Sequence, residues 1–140
     1  MDFLGVRRGL AAAAAAIDGL SALPFMPDSV SPPTFFVGEM DLEFDKAFGR
    51  GLDELVATCR LLTSRASDDG GQAELDRYLA GSGPYSVKEA LEADPSLGGV
   101  CDAVHVRRAT GYGLFEFGVG NDMSRYYGIE FFVHVYGTGG

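Results

Sequence analysis

Residues 72–99 read QAELDRYLAGSGPYSVKEALEADPSLGG, which predicts two short helices with a break between them. Asp69 is expected to cap the first helix, which begins near Gly70, and the Gly81–Pro84 segment ends it. Ser86-Val87-Lys88-Glu89 has the pattern of a capping box for the second helix, because the serine and the glutamate side chains can each accept a hydrogen bond from a free backbone N–H. Helices this short are unstable alone in water, so they must pack against another part of the chain.

The segments on either side of these helices have the composition and alternation typical of β-strands. Segments 34–45 and 52–64 precede the helices and are predicted to pair as an antiparallel hairpin. After the helices, 100–109 and 114–117 are predicted to be two strands joined by a glycine-containing turn, and 126–136 is predicted to be the last strand.

The last of these strands has two faces of different character. One face comprises Tyr127, Ile129, Phe131, Val133 and Val135. The opposite face is unusually aromatic for a solvated surface and comprises Tyr126, Glu130, Phe132, His134 and Tyr136. Two interpretations remain open: these aromatic residues form a contact with another protein, or they lie beneath the first helix.

The remaining segments complete a single α+β domain that spans residues 1–140. An apolar stripe at intervals of three and four predicts a helix over residues 1–22, and the prolines of 23–33 predict an extended linker. The core is expected over 34–136, followed by a flexible glycine tail at 137–140. The order of elements predicts a mostly antiparallel sheet of four to five strands, with the N-terminal helix and the two short helices packed on one face.

The charge balance argues against a nucleic-acid-binding protein. The chain carries 11 Lys and Arg residues against 20 Asp and Glu residues, a formal net charge of -9. Tight binding to a phosphate backbone needs clustered positive charge, which this sequence lacks. A negatively charged surface can nevertheless let DNA slide past without binding it.

The apolar composition indicates a soluble protein that is neither exported nor inserted in a membrane. The run from Leu10 to Ile17 is shorter than the roughly 20 residues that cross a bilayer, and Asp18 interrupts any leader-like segment after Arg7 and Arg8. Cys59 and Cys101 lie in apolar runs without metal-ligand spacing, so both are predicted to be buried, reduced thiols. This state favours assembly in a cytoplasm.

The sequence contains few candidate catalytic groups. The sequence contains neither a nucleophile elbow nor a phosphate-binding glycine loop, and no cofactor is expected. The one carboxylate constellation is Asp41, Glu43 and Asp45, which a strand places on one face. Three carboxylates in a row could hold a divalent cation, so a small metal-dependent cytoplasmic enzyme is the alternative hypothesis, although a solvated face or a partner contact explains the acids more simply.

The segment Gly49–Gly99 resembles the tail terminator proteins of long-tailed (siphovirus-type) bacteriophages, particularly those that infect actinobacteria. The residues that carry the resemblance are Arg50-Gly51-Leu52-Asp53, Leu61-Leu62-Thr63-Ser64-Arg65-Ala66-Ser67-Asp68, Leu75-Asp76-Arg77-Tyr78-Leu79, Ser82-Gly83, Ser86-Val87-Lys88-Glu89-Ala90-Leu91 and Asp94-Pro95-Ser96-Leu97-Gly98-Gly99. Their order and spacing both fit, whereas the flanking segments agree more loosely.

The resemblance implies a structural virion protein without catalytic activity. Such proteins are assembled in the host cytoplasm and form a homo-hexameric ring on the head-proximal end of the tail tube. The ring ends tube polymerisation, contacts the tail tube protein on one side and the head–tail connector or stopper protein on the other, and lets genomic DNA pass through its lumen. A neighbouring neck protein, such as a connector stopper, or a tail tube subunit is the alternative within the same class.

A ring needs two different contact patches on each subunit. The residues predicted to contact another subunit or a partner are Asp41, Glu43, Asp45, Arg50, Asp53, Arg65, Asp68, Tyr126, Phe132 and Tyr136.

Overall fold

The computed structural model describes residues 1–44, 52–64, 67–121 and 123–138. Its helices and strands are, in chain order, α1 (Phe3–Ala15), β1 (Ser21–Leu23), β2 (Thr34–Glu43), β3 (Leu52–Thr63), α2 (Asp68–Tyr78), α3 (Val87–Glu92), β4 (Ala103–Phe117) and β5 (Ser124–Thr138). The predicted α+β class and the mostly antiparallel sheet are both confirmed.

The five strands form one sheet in the order β1-β2-β3-β5-β4. β1 runs parallel to β2, whereas every other neighbouring pair is antiparallel. The predicted pairing of β2 with β3 is therefore confirmed, although the connection at 45–51 lies outside the described residues. The central pair is β3 with β5, which stay in register from Leu52 opposite Thr138 to Thr63 opposite Tyr127.

All three helices pack on the same face of the sheet and form the main hydrophobic core there. The helices contribute Val6, Leu10, Ala14, Leu75, Tyr78, Val87 and Leu91. The central strands contribute Leu55, Ala57, Cys59, Leu61, Ile129, Phe131, Val133 and Val135. Burial of one large apolar side chain contributes about 1.5–3 kcal/mol, so this core is the main source of stability.

The two mid-chain helices are capped by serine hydroxyls. Ser86 accepts a hydrogen bond from the Glu89 backbone N–H at 3.1 Å, as predicted, while the Glu89 carboxylate accepts from the Gly83 N–H at 2.8 Å instead of closing the box. In α2 the prediction of Asp69 as N-cap is wrong. Ser67 caps that helix through the Gly70 N–H at 3.0 Å, and Asp69 lies in the first turn, where its charge favours the helix dipole.

The N-terminal helix is shorter than the predicted 1–22, because α1 ends at Ala15. Ile17 and Leu20, which fit the helical stripe, are still buried, but they reach the core through tight turns. Between these two residues, Gly19 has a φ of 81°, a left-handed conformation that does not occur inside an α-helix. The chain then enters β1, the short parallel strand that the sequence did not predict.

A single long strand replaces the predicted turn between 100–109 and 114–117. β4 passes through this region with register shifts between Val106 and Arg108 and between Thr110 and Gly113. Gly111, with a φ of 76°, permits the second irregularity without ending the strand. At the C-terminus, β5 includes the buried Gly137, so the predicted tail at 137–140 is also part of the sheet as far as Thr138.

The proline-rich linker packs on the face of the sheet that is turned away from the helices. It connects β1 to β2, and its Val30 packs against a small second cluster formed by Phe36, Leu62 and Phe117. The rings of Phe36 and Phe117 are 5.4 Å apart, tilted by 47°. One end of this second face is thereby covered by the chain itself.

Both cysteines are free and buried, as predicted. Burial raises the pKa of the Cys59 thiol to about 12, although Arg7 opposes the shift. Burial, together with Asp102 and Asp94, raises the pKa of Cys101 to about 11.

We expect both thiols to resist alkylation at pH 8, because the thiolate is the reactive form and about one Cys101 thiol in a thousand is ionised there. Cys101, which is 8% exposed, should be labelled before Cys59, which is 0% exposed. Mass spectrometry of iodoacetamide-treated native protein gives the order, and the same reaction in denaturant is the control. Rapid labelling of Cys59 in the native protein would contradict its burial.

Candidate partner interface on the open sheet face

We call the face of the sheet that is turned away from the helices the open face. Its central part consists of the alternate residues of β3 and β5 that the main core excludes. These residues are Glu54, Val56, Thr58, Arg60 and Leu62 on β3, and Tyr126, Gly128, Glu130, Phe132, His134 and Tyr136 on β5. The aromatic face predicted for 126–136 is therefore real, but it does not lie beneath the first helix, because α1 packs on the other side of the sheet.

One ion pair and one histidine–carboxylate hydrogen bond link β3 to β5 across this face. Arg60 donates a hydrogen bond to Glu130 at 3.1 Å, and its guanidinium also lies 4.8 Å from the centre of the Phe115 ring. His134 Nδ1 lies 2.7 Å from a Glu54 carboxylate oxygen. We assign the proton to Nδ1, because a carboxylate can only accept. Both contacts act as internal links between the two strands, although the Nε atom of Arg60 is buried without a hydrogen-bond partner among the described residues.

The predicted aromatic residues differ in how far they are available to a partner. Tyr126 packs against the linker-covered cluster at one end of the face, so part of its surface is already used. Phe132 is half-buried, with the Arg108 guanidinium 4.7 Å from its ring centre. Tyr136 accepts a hydrogen bond from Arg107 at 2.9 Å. Phe132 and Tyr136 thus lie toward the uncovered end, next to cationic groups of β4.

The acidic residues of β2 form one border of the open face. Asp41 and Glu43 are both exposed, and Glu39 before them is exposed as well. Asp41 is level with Val56 of β3, which is level with His134 of β5. These carboxylates therefore lie at the uncovered end of the face, in the place predicted for a subunit contact.

The hypothesis of a metal site on β2 depends on a third carboxylate, Asp45, which lies outside the described residues. Across the part of the chain that the structure describes, no three His, Cys, Asp or Glu side chains come close enough together to hold a metal ion. Within the described residues the constellation consists of Asp41 and Glu43 alone.

Asp53 and Asp68, two further predicted contact residues that the structure describes, do not join the open face. Asp53 is 2% exposed, on the helix-covered side of β3, so its side chain is buried within one chain and cannot serve as a surface contact there. Asp68 lies in the first turn of α2 and accepts a hydrogen bond from the Tyr127 hydroxyl at 3.1 Å. Arg50 and Arg65 lie outside the described residues.

Three residues of this surface were missed from the sequence: His105, Arg107 and Arg108, all exposed on β4. Strict alternation after Val104 and Val106 would turn Arg108 toward the core, so a charged residue at this position is a signal of a β-bulge. Here Arg107 has no register partner, and both arginines contact aromatic residues of the open face. The ring of His105 also meets that of Tyr136, with centres 6.1 Å apart.

No protein-family model matches the chain, and a search of curated proteins finds no match either. None of the helices in the described ranges combines the length and the apolarity that a membrane-spanning helix needs.

Proposed function

We propose that this protein is a tail terminator of a long-tailed bacteriophage. In this proposal it forms a homo-hexameric ring on the head-proximal end of the tail tube, stops the addition of tube subunits and joins the tail to the head connector. It is assembled in the host cytoplasm and remains in the virion. The assignment to phage tails rests on the resemblance of Gly49–Gly99, whereas the adaptor role is supported by the surface of the fold.

One observation carries the adaptor role: large apolar side chains are exposed beyond both ends of the sheet. Phe44, directly after β2, is 67% exposed. Val119 and Met123, in the connection between β4 and β5, are 59% and 47% exposed. Exposed apolar groups of this size commonly mark contacts with other proteins.

The strand register separates these two apolar sites. Phe44 follows Glu43, which is level with the β5 residue Tyr136 near the end of that strand. Val119 and Met123 follow the opposite end, where Phe117 pairs with Ser124. A ring of such subunits with strands along its axis has one apolar site at each rim, as a protein joining two different partners requires.

The acidic composition is compatible with passage of DNA through the ring. Each copy carries a formal net charge of -9, so a lumen lined by this protein would repel a phosphate backbone. The DNA then meets no surface that would hold it during ejection.

The test is disruption of the gene in the phage that carries it, followed by electron microscopy of the particles. We expect over-long tails or heads without tails, because nothing ends the tube or joins it to the head. Tails of normal length that fail to join heads would indicate a stopper, and absence of tails would indicate a tube subunit. Normal virions would overturn every one of these assignments.

Variants at the two rims sharpen the test. In complementation, V119D/M123D and F44D should each assemble into rings yet fail at different steps, one giving over-long tubes and the other unjoined tails. M26D is the comparison variant for the rim contacts alone. Met26 is 57% exposed and lies beside Glu39, Thr58 and Arg60 on the open face, away from both rims, so its rings should show neither rim defect. Identical defects from both rim variants would contradict the two-sided arrangement.

A further inference from the structure

The two borders of the open face carry opposite charges at its uncovered end. β2 presents Glu39, Asp41 and Glu43 along one border. β4 presents His105, Arg107 and Arg108 along the other.

These two borders also lie along edges of the sheet at which no further described strand pairs. β1 pairs with β2 only from Thr34 to Phe36, so the acidic half of β2 has no neighbour on its outer side among the described strands. β4 is the last strand of the described sheet on the opposite side. Exposed edges of this kind are sites at which a second protein chain can add.

The two edges are level and run in opposite directions. Asp41 aligns through Val56 and His134 with His105. Three successive antiparallel pairings make β2 antiparallel to β4. If the open face of the next subunit lies on the same side, its β2 meets β4 in the antiparallel sense. Asp41 is then level with His105, and Glu39, next to Met40, is level with the irregularity at Arg107 and Arg108.

We infer that a second copy of this chain docks edge to edge, with the acidic border of β2 in one subunit against the basic border of β4 in the next. The contact is heterologous, because each subunit uses a different patch on each side, and repetition of such a contact closes a ring. This inference rests on the proposed ring and specifies the contact that holds it together.

Side chains carry this contact more than backbone pairing does. The outward N–H of Val106 already donates to the Glu92 carboxylate at 2.8 Å, which protects the middle of β4 from uncontrolled strand addition. Glu92 does not cancel the basic border, since Lys88 binds the same carboxylate at 2.7 Å. Burial opposes ionisation of Glu92, but Lys88 and the Val106 N–H outweigh it and hold its pKa below the usual value.

A charge-swap experiment tests the inference in purified protein. E39K/D41K places lysines against arginines, and R107E/R108E places glutamates against the β2 acids. Like charges brought together across an interface cost several kcal/mol, so each variant should associate at least about a hundredfold more weakly than the wild type. Native mass spectrometry and light scattering measure the assembly, and circular dichroism checks that each variant is folded.

Restoration of assembly makes the test specific. A 1:1 mixture of the two variants should form rings of alternating subunits, because every interface then joins opposite charges. The chain with all four substitutions should assemble alone. E116K, which changes an exposed glutamate of β4 at the linker-covered end, is the control and should assemble normally.

The outcomes separate this contact from the proposed function. Normal assembly of either double variant, or a mixture that stays dissociated, overturns the edge-to-edge contact while leaving a ring built by another surface. If the mixed variants reassemble but the wild-type protein fails to complement the phage, the contact is supported and the tail terminator is overturned. A wild type that is monomeric at all concentrations overturns both.

Discussion

Phe35→Ala is expected to lower the free energy of unfolding by about 3–5 kcal/mol. The Phe35 side chain is 0% exposed and lies in the main core, where β2 is held between β1 and β3. Its removal leaves a cavity that the surrounding strands cannot fill without losing their register. Urea denaturation followed by circular dichroism measures the change, at one protein concentration because association adds to apparent stability.

The matched control is Phe25→Ala, the same chemical change at a side chain that is 51% exposed. Phe25 retains one contact of note, with the Arg7 guanidinium 5.2 Å from its ring centre, so a loss of about 1 kcal/mol or less is expected. Equal effects of the two substitutions would mean that Phe35 is not in the core described above.

Gly128→Ala is expected to destabilise the protein by about 3 kcal/mol, although it adds only a methyl group. A Cβ at this position of β5 would lie 2.7 Å from Leu62 Cδ2, 2.8 Å from the Leu61 carbonyl oxygen and 2.8 Å from Phe115 Cδ2. The two side chains can move, but the carbonyl belongs to the central strand β3. Relief of the clash therefore has to separate β3 from β5.

Gly81→Ala is the control for this substitution. A Cβ there meets nothing within 4 Å, so the change should be neutral, or stabilising by up to about 1 kcal/mol through the unfolded state. Thermal and urea unfolding of both variants measure the difference. A Gly128→Ala protein as stable as the wild type would contradict the close approach of β3 and β5 at this point.

The sequence predicted correctly those features that neighbouring residues determine among themselves, such as a helix cap and the two faces of a strand. Ser86 caps α3 because the residues that satisfy the helix start are adjacent in the chain. The faces of β5 follow from strict alternation, since a strand turns each successive side chain to the opposite side. The apolar residues Ile129 and Phe131 are accordingly buried in the core, whereas Phe132 is on the open face.

The predictions from sequence were wrong where contacts with distant parts of the chain decide the local conformation. The glycines on either side of Tyr112 predict a turn, but pairing with β5 keeps β4 extended, and the glycines lie at an irregularity within the strand. Asp53 has the charge of a surface residue, yet its position opposite Gly137 buries it. The basic border at Arg107 and Arg108 needed the β-bulge to bring both arginines to one face.

The pairing of β3 with β5 also sets the moment at which the protein can fold during its synthesis. β3 ends at Thr63 and its partner begins at Ser124, so about 60 residues must be translated before the centre of the sheet can form. At roughly 5–20 residues per second, the ribosome needs about 3–12 s for this distance. Until then one edge of β3 is unpaired on the nascent chain, and an unpaired strand edge is a site at which other chains can associate.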